Sequence, residues 1–162
     1  MPGTPSEVLR SLNASCLIYS GDTLVYSSPH SGVKPLLEFL EMYQNKDKAE
    51  SLTLIDQITG KASYLLAVHI GISTIYTPLA SLMALDSSKS HNTALHYEVA
   101  VPFILNREKT DLCPLEASVL HTEDPYEALL NITSTVQKMI NNENVTLPLT
   151  QGPVYGKREF QH

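Results

Sequence analysis

Apolar positions along the chain alternate between short β-type runs and longer helical repeats. Cys16-Leu17-Ile18-Tyr19 and Leu24-Val25-Tyr26 flank Gly21-Asp22, an arrangement that predicts a β-hairpin. Before it, Glu7 to Leu12 carries a short helical pattern. From Val33 onward, Val33, Leu36, Leu37, Leu40 and Tyr43 recur at helical spacing, with Glu38, Glu41 and Gln44 on the opposite side. The charged run Lys46-Asp47-Lys48 is expected to end that helix in solvent. Leu52 to Ile55 reads as a strand, Ala62 to Ile70 as a helix closed by Gly71, and Ile72 to Tyr76 as a second strand. Thr77-Pro78 then reads as the cap and first-turn proline of a helix running from Pro78 to about Leu85. Strand, helix, strand with short connections predicts a parallel βαβ unit.

Beyond a polar loop over Asp86 to Thr93, the pattern gives a strand over Leu95 to Val101 and a turn over Asn106 to Thr110. A last helix begins at Pro125, with Leu129, Ile132, Val136 and Ile140 on one face. Residues 145–162 hold Pro148, Gly152, Pro153 and Gly156 without periodicity and are expected to form a loosely ordered tail behind a single domain of residues 1–144. The pattern therefore predicts an α/β domain with a mixed sheet and helices on both of its faces.

Composition narrows the function classes. The chain is 43% hydrophobic, enough to bury a core. Eleven Lys and Arg stand against 17 Asp and Glu, a net charge of −6, which argues against nucleic acid or a membrane surface as partner. Cys16 and Cys113 are too few and too far apart for a disulfide framework or a zinc ribbon. The opening MPGTPSEVLR lacks the basic start and apolar core of a signal peptide, and no apolar run reaches the ~18–20 residues of a membrane span. A cytoplasmic protein is expected, with room for a homo-oligomer. The triplets at Asn13, Asn131 and Asn144 that match a glycosylation acceptor are read as chance.

Two segments carry candidate chemistry. Asp56 to Ala62 lies at the carboxyl end of a predicted strand and leads into a helix, where open α/β sheets bind ligands. There Asp56 would accept hydrogen bonds, Gly60 would allow close backbone approach, and Lys61 would neutralise charge beside the free N–H groups of the helix start. A phosphate or carboxylate would fit, although the segment is not a P-loop. Cys113-Pro114-Leu115-Glu116 is the second. A cysteine just ahead of a first-turn proline stands at a helix N-terminus, which favours the thiolate. Glu116 could then accept a proton or cap that same helix, and His121 could assist as a base. Arg107 could clamp a carboxylate or phosphate, against the plainer reading of a solvated turn residue. His30 and His69 are read as structural or surface groups.

Gly32-Val33 with Pro35-Leu36-Leu37, Asp56-Gln57-Ile58-Thr59-Gly60-Lys61-Ala62, and Asn106-Arg107 ahead of Cys113-Pro114-Leu115-Glu116 together resemble an uncharacterised bacterial and archaeal family. The resemblance covers about residues 16 to 120 and departs from the family pattern at Gln57, Thr59, Ser63 and Leu115. It implies a cytidine-deaminase-like fold, a three-layer α/β/α sandwich, that lacks the zinc ligands. The residues agree with that implication. A zinc deaminase needs a His or Cys two residues before a Glu at one helix start and Pro-Cys-x-x-Cys at the next. This chain has His96-Tyr97-Glu98 in a predicted strand, no Cys-x-x-Cys, and only His30 as a ligand near the expected helix starts. Neither a metal nor another cofactor is expected.

Three functions follow from these residues. The first is a domain that binds a small nucleoside-like or anionic molecule through Asp56, Gly60, Lys61 and Arg107. The second is a zinc-independent enzyme with Cys113 as nucleophile and Glu116 assisting. The third is a structural or protein-interaction domain.

Overall fold

The computed structural model describes residues 3–43 and 50–143. Lys46-Asp47-Lys48, the Asn144 triplet and the tail of residues 145–162 lie outside the described residues. The chain opens with α1 (Pro5–Ser11), started by a capping box: the Glu7 N–H donates to Thr4 Oγ1 and the Thr4 N–H to Glu7 Oε1. The hairpin follows as β1 (Cys16–Ser20) and β2 (Thr23–Ser28), then α2 (Val33–Tyr43) and β3 (Leu52–Asp56). A two-residue strand β4 (Ile58–Thr59) leads into α3 (Lys61–Ile70). Next come β5 (Ile72–Ser81), α4 (Leu82–Ser88) and β6 (Ala94–Val101), and the described chain ends with α5 (Pro114–Ser118) and α6 (Pro125–Glu143).

One open mixed sheet joins all six strands. β1 is antiparallel to both β2 and β3, while β3, β4 and β6 all run parallel to β5. β3 pairs with the stretch Ile72–Tyr76 of β5 and β4 with Leu79–Ala80, whereas β6 runs along Thr74–Ser81. Because β6 overlaps both stretches, β3 and β4 share the opposite edge of β5 as one interrupted strand.

The βαβ unit predicted from the pattern is β3, α3 and β5. Gly71 ends α3 with φ of 99°, a left-handed conformation that L side chains rarely adopt, and a Cβ there would meet open space. Glycine is needed here for its backbone and not for room.

The helix expected from Pro78 to about Leu85 does not start at Thr77-Pro78 but four residues later, as α4. β5 continues through Pro78 to Ser81, and Ser81 supplies the cap of α4 instead, accepting from the Ala84 N–H at 3.1 Å. Proline has no N–H to give a ladder, and the pairing is broken opposite it, at Asp56-Gln57 between β3 and β4. The Thr77 hydroxyl stitches the irregular stretch by donating to the Leu79 carbonyl at 3.0 Å. Local capping chemistry favours a helix start at this dipeptide, and pairing of Leu79 to Ser81 with β4 and β6 overrides it.

Most of the core lies on one sheet face. Cys16, Ile18, Leu52, Leu54, Ile72 and Ile75 pack there against side chains from α2 to α6. α3 is buried almost all round, which is why its sequence is nearly continuously apolar. Phe39 of α2, not singled out by the periodicity, is buried and stacks on Tyr43 with ring centroids 4.7 Å apart. Ile140, expected on the apolar face of α6, is 44% exposed. Among the described residues the other sheet face carries α1 alone, whose Leu9 packs on Leu17 and Ile55. The helices expected on both faces are thus divided unequally among the described residues. No described helix is long and apolar enough to cross a membrane.

Candidate functional site

The sheet register places Ser28, Cys16 and Asp56 in one row across β2, β1 and β3. From this end of the sheet the chain leads into α2 through Pro29 to Gly32, and into α3 through Gln57 to Gly60. Two buried carboxyl groups stand in this region, Asp56 at 0% and Glu116 at 3% exposure.

Glu116 projects from the short helix α5, yet it caps another helix. The Lys61 N–H donates to its Oε1 at 2.9 Å and the Ala62 N–H to its Oε2 at 2.8 Å, so both carboxylate oxygens are held by the first turn of α3. The positive end of the α3 dipole and two otherwise orphaned donors are met by one internal anion. Burial pushes the Glu116 carboxyl up, and the two N–H groups and the Lys61 charge work against that rise. Gly60 makes the contact sterically feasible: a Cβ there would stand 2.6 Å from Glu116 Cδ. Capping its own helix, one of the two roles the sequence offers for Glu116, is therefore not the role it takes.

Lys61 is also committed. Its side chain is buried, with Nζ 2.9 Å from Glu123 Oε2 and donating to the Leu120 carbonyl at 3.3 Å. Partial burial alone would raise the Glu123 carboxyl. Hydrogen bonds from Lys61 and Ser87, with the positive charge of Lys61, outweigh it and hold the group below its ordinary value. His91 completes this node, its ring nitrogens 2.9 Å from the Ser87 carbonyl and 2.8 Å from the Glu123 carbonyl. Glu123, Ser87 and His91 had no local signal in the sequence. Together they pin the segment between α5 and α6 onto α3 and α4.

Asp56 contrasts with Glu116. Its Oδ1 and Oδ2, and the Thr59 hydroxyl, are buried without a hydrogen-bond partner. The nearby Gln57 N–H is given to the Ser15 carbonyl at 2.9 Å. Burial drives the Asp56 carboxyl well above the ordinary carboxylate range, with the backbone N–H groups of Gln57 and Ile58 opposing. Cys16, opposite Asp56 on β1, has its thiol pushed up by burial and then by the Asp56 charge.

Cys113 stands at the start of α5, as its sequence predicts, but its side chain makes no cap hydrogen bond. Burial and the Glu116 charge push its thiol up to about 11, where a helix N-terminus alone would lower it. Desolvation of the thiolate outweighs the one short helix. His121 is exposed beyond α5, and Arg107 is exposed in the turn that joins Asn106 to Asp111. The fold brings Asp56, Gly60, Lys61 and Glu116 to the start of α3, with Cys113 one turn of α5 away from Glu116, and leaves Arg107 outside.

Among the described residues no three His, Cys, Asp or Glu side chains are grouped so that they could hold a metal ion. A separate cleft of about 340 Å³ opens on the α1 side of the sheet, lined by Val8, Tyr19, Asp22, Thr53 and Tyr76 among others. It contains none of the candidate site residues named from the sequence.

No curated protein matches the chain. Among solved structures, the chain is similar to the crystal structure of a DUF1893 family protein, TM1506, from Thermotoga maritima, with a TM-score of 0.69 and 26% identity over 80% of this chain and 85% of that one. The family model of TM1506, a domain of unknown function (DUF1893), matches residues 5–136. That stretch extends past both ends of the region that carried the resemblance in the sequence, and over it the chain belongs to the DUF1893 family.

Proposed function

We propose that the protein is a small-molecule-binding domain of cytidine-deaminase-like fold, with Asp56 at the centre of its site. One observation carries this reading: both carboxylate oxygens of Asp56, and the Thr59 hydroxyl, are buried without partners at the end of the sheet where α2 and α3 begin. A buried polar group left unpaired costs about 1–3 kcal/mol. A molecule that brings N–H or O–H donors to Asp56 and Thr59 recovers that cost. The amino and imide edges of a nucleoside-like compound have the right chemistry. An anionic ligand is less well served, because Glu116 already takes the α3 N–H groups and Lys61 is paired with Glu123. The loop from Pro29 to Gly32, with half-buried His30, joins β2 to α2 at this same end of the sheet.

The order of strands supports the fold assignment: β1 alone opposes an otherwise parallel run of β3, β5 and β6. The enzyme reading, with Cys113 as nucleophile, has the burial of that thiol against it.

Thermal unfolding of the wild type with nucleosides, free nucleobases, small amines and small phosphates tests the proposal. A ligand at 100 times its Kd stabilises the folded state by about 2.7 kcal/mol. The expected result is a shift with a donor-bearing compound that is lost in Asp56→Asn and weakened in Thr59→Val. No shift with any class, or a shift undiminished in Asp56→Asn, overturns it.

A further inference from the structure

The sheet ends on one side at β6, which pairs with β5 and with no other strand among the described residues. It is eight residues long, has no Lys, Arg or Pro within it, and exposes Tyr97 at 48% and Val99 at 42%. Edge strands are ordinarily guarded by charged side chains, lysine above all, by prolines or by bulges against pairing with another chain. The opposite edge of the sheet has such a device: β2 pairs with β1 through a register irregularity at Ile18/Tyr19. β6 has only the charge of Glu98.

We infer that β6 pairs antiparallel with β6 of a second copy of this chain, across a two-fold axis at Tyr97, so that two sheets become one. The residues of β6 are self-complementary in that register. Leu95 packs with the main core and His96 stacks on Tyr76, 4.9 Å between ring centroids, so odd positions face the helices and even positions face the α1 side. Residues directly opposite in an antiparallel pair share a face. With Tyr97 opposite its own copy, His96 stands opposite Glu98 twice, Leu95 opposite Val99 twice, and Ala94 opposite Ala100 twice. A shift of the register in one direction sets His96 against His96, and in the other sets Glu98 against Glu98. Only the central register matches a carboxylate to an imidazole and aliphatic to aliphatic.

Both polar partners are already positioned for it. His96 is held against Tyr76, and Glu98 accepts from the Ser6 N–H at 3.0 Å and from the Ser6 hydroxyl. A carboxylate has about four acceptor positions, which leaves Glu98 free to accept from the His96 of the other copy as well. A two-fold dimer with the same patch on both subunits is the commonest closed assembly.

Sedimentation of the full chain over a nanomolar to submillimolar range reads the state directly, with two variants on the axis. The wild type is expected at twice the 17.9 kDa of the chain. Tyr97→Lys, which sets two ammonium groups against each other, is expected at the monomer mass with the melting curve of a folded protein. Tyr97→Cys is expected to form a covalent dimer under mild oxidation, because a residue on the axis meets its own copy; the natural Cys16 and Cys113 are buried or half-buried and serve as the internal control in the wild type. A wild type that stays monomeric overturns the inference. So does a dimer that survives Tyr97→Lys and yields no cross-link in Tyr97→Cys.

Discussion

Asp56 and Glu116 are both carboxyl groups removed from water near the start of α3, and burial raises both. Glu116 receives two backbone N–H bonds and lies close to the Lys61 charge; Asp56 receives no bond that satisfies hydrogen-bond geometry. A buried charge is tolerable where the fold supplies donors and costly where it does not. The first carboxylate therefore acts as a structural cap, and the second is left without a partner. The difference also shows why a helix N-terminus read from sequence is an ambiguous anion site: here the protein fills its own.

The largest effect expected from this contrast is in Glu116→Ala. Two α3 donors lose their partner, and chemical denaturation should show a loss of about 3 kcal/mol. Formate or acetate in the buffer should restore part of that stability in the variant and none in the wild type. An unchanged midpoint would mean that water serves the α3 N–H groups equally well, which would erase the contrast.

Gly60→Ala comes next, at about 2 kcal/mol, since overpacking of this kind typically costs 1–3 kcal/mol. The backbone there is extended at φ −96°, so the penalty comes from collision with Glu116 and not from strain. A double-mutant cycle with Glu116→Ala should recover most of it. Fully additive losses would show that Gly60 serves another neighbour.

Asp56→Asn is expected to act in the opposite sense and to stabilise. The folded state raises the Asp56 pKa, so its favourable contribution is complete below the unfolded carboxyl range, about 4, and is lost as pH rises through the folded value. Melting temperatures measured across a pH series should diverge in favour of the variant from mildly acid pH upward. Parallel curves would indicate that Asp56 finds a partner after all.

The smallest effect belongs to Glu123→Gln. The Glu123 side chain is 47% exposed, so its pair with Lys61 is screened by solvent and is worth under about 1 kcal/mol. Its pKa is depressed in the folded state, so that contribution is present above the unfolded carboxyl range and lost as pH falls through the folded value. Wild type and variant should converge in acid.

Much of this was legible before the structure. The Gly21-Asp22 hairpin, the α2 face, and the β3-α3-β5 unit with Gly71 at its joint all depend on residues within a turn or two of one another. The misread element, Thr77-Pro78, has local chemistry that suits a helix start, and only the strands on either side of β5 make it extended. The site was legible in its members and not in its wiring. Asp56, Gly60, Lys61, Cys113 and Glu116 all stood out, but nothing in their own segments joins Glu116 to the backbone of Lys61 and Ala62, or Lys61 to Glu123. Cys113 has the neighbours of a thiolate in sequence and the surroundings of a buried thiol in space.

Periodicity, glycine and proline act over a few residues, so the chain determined by itself where its main strands and helices lie and which side chains carry charge or reactivity. Which of those groups are satisfied depends on partners from remote segments, and that was decided only when α5 packed beside α3. The same step turned Glu116 into a cap and drew Lys61 to Glu123, while Asp56, beside Cys16 in the sheet, is buried with both oxygens unpaired, because burial and hydrogen bonding are properties of the assembled neighbourhood and not of any local run of residues.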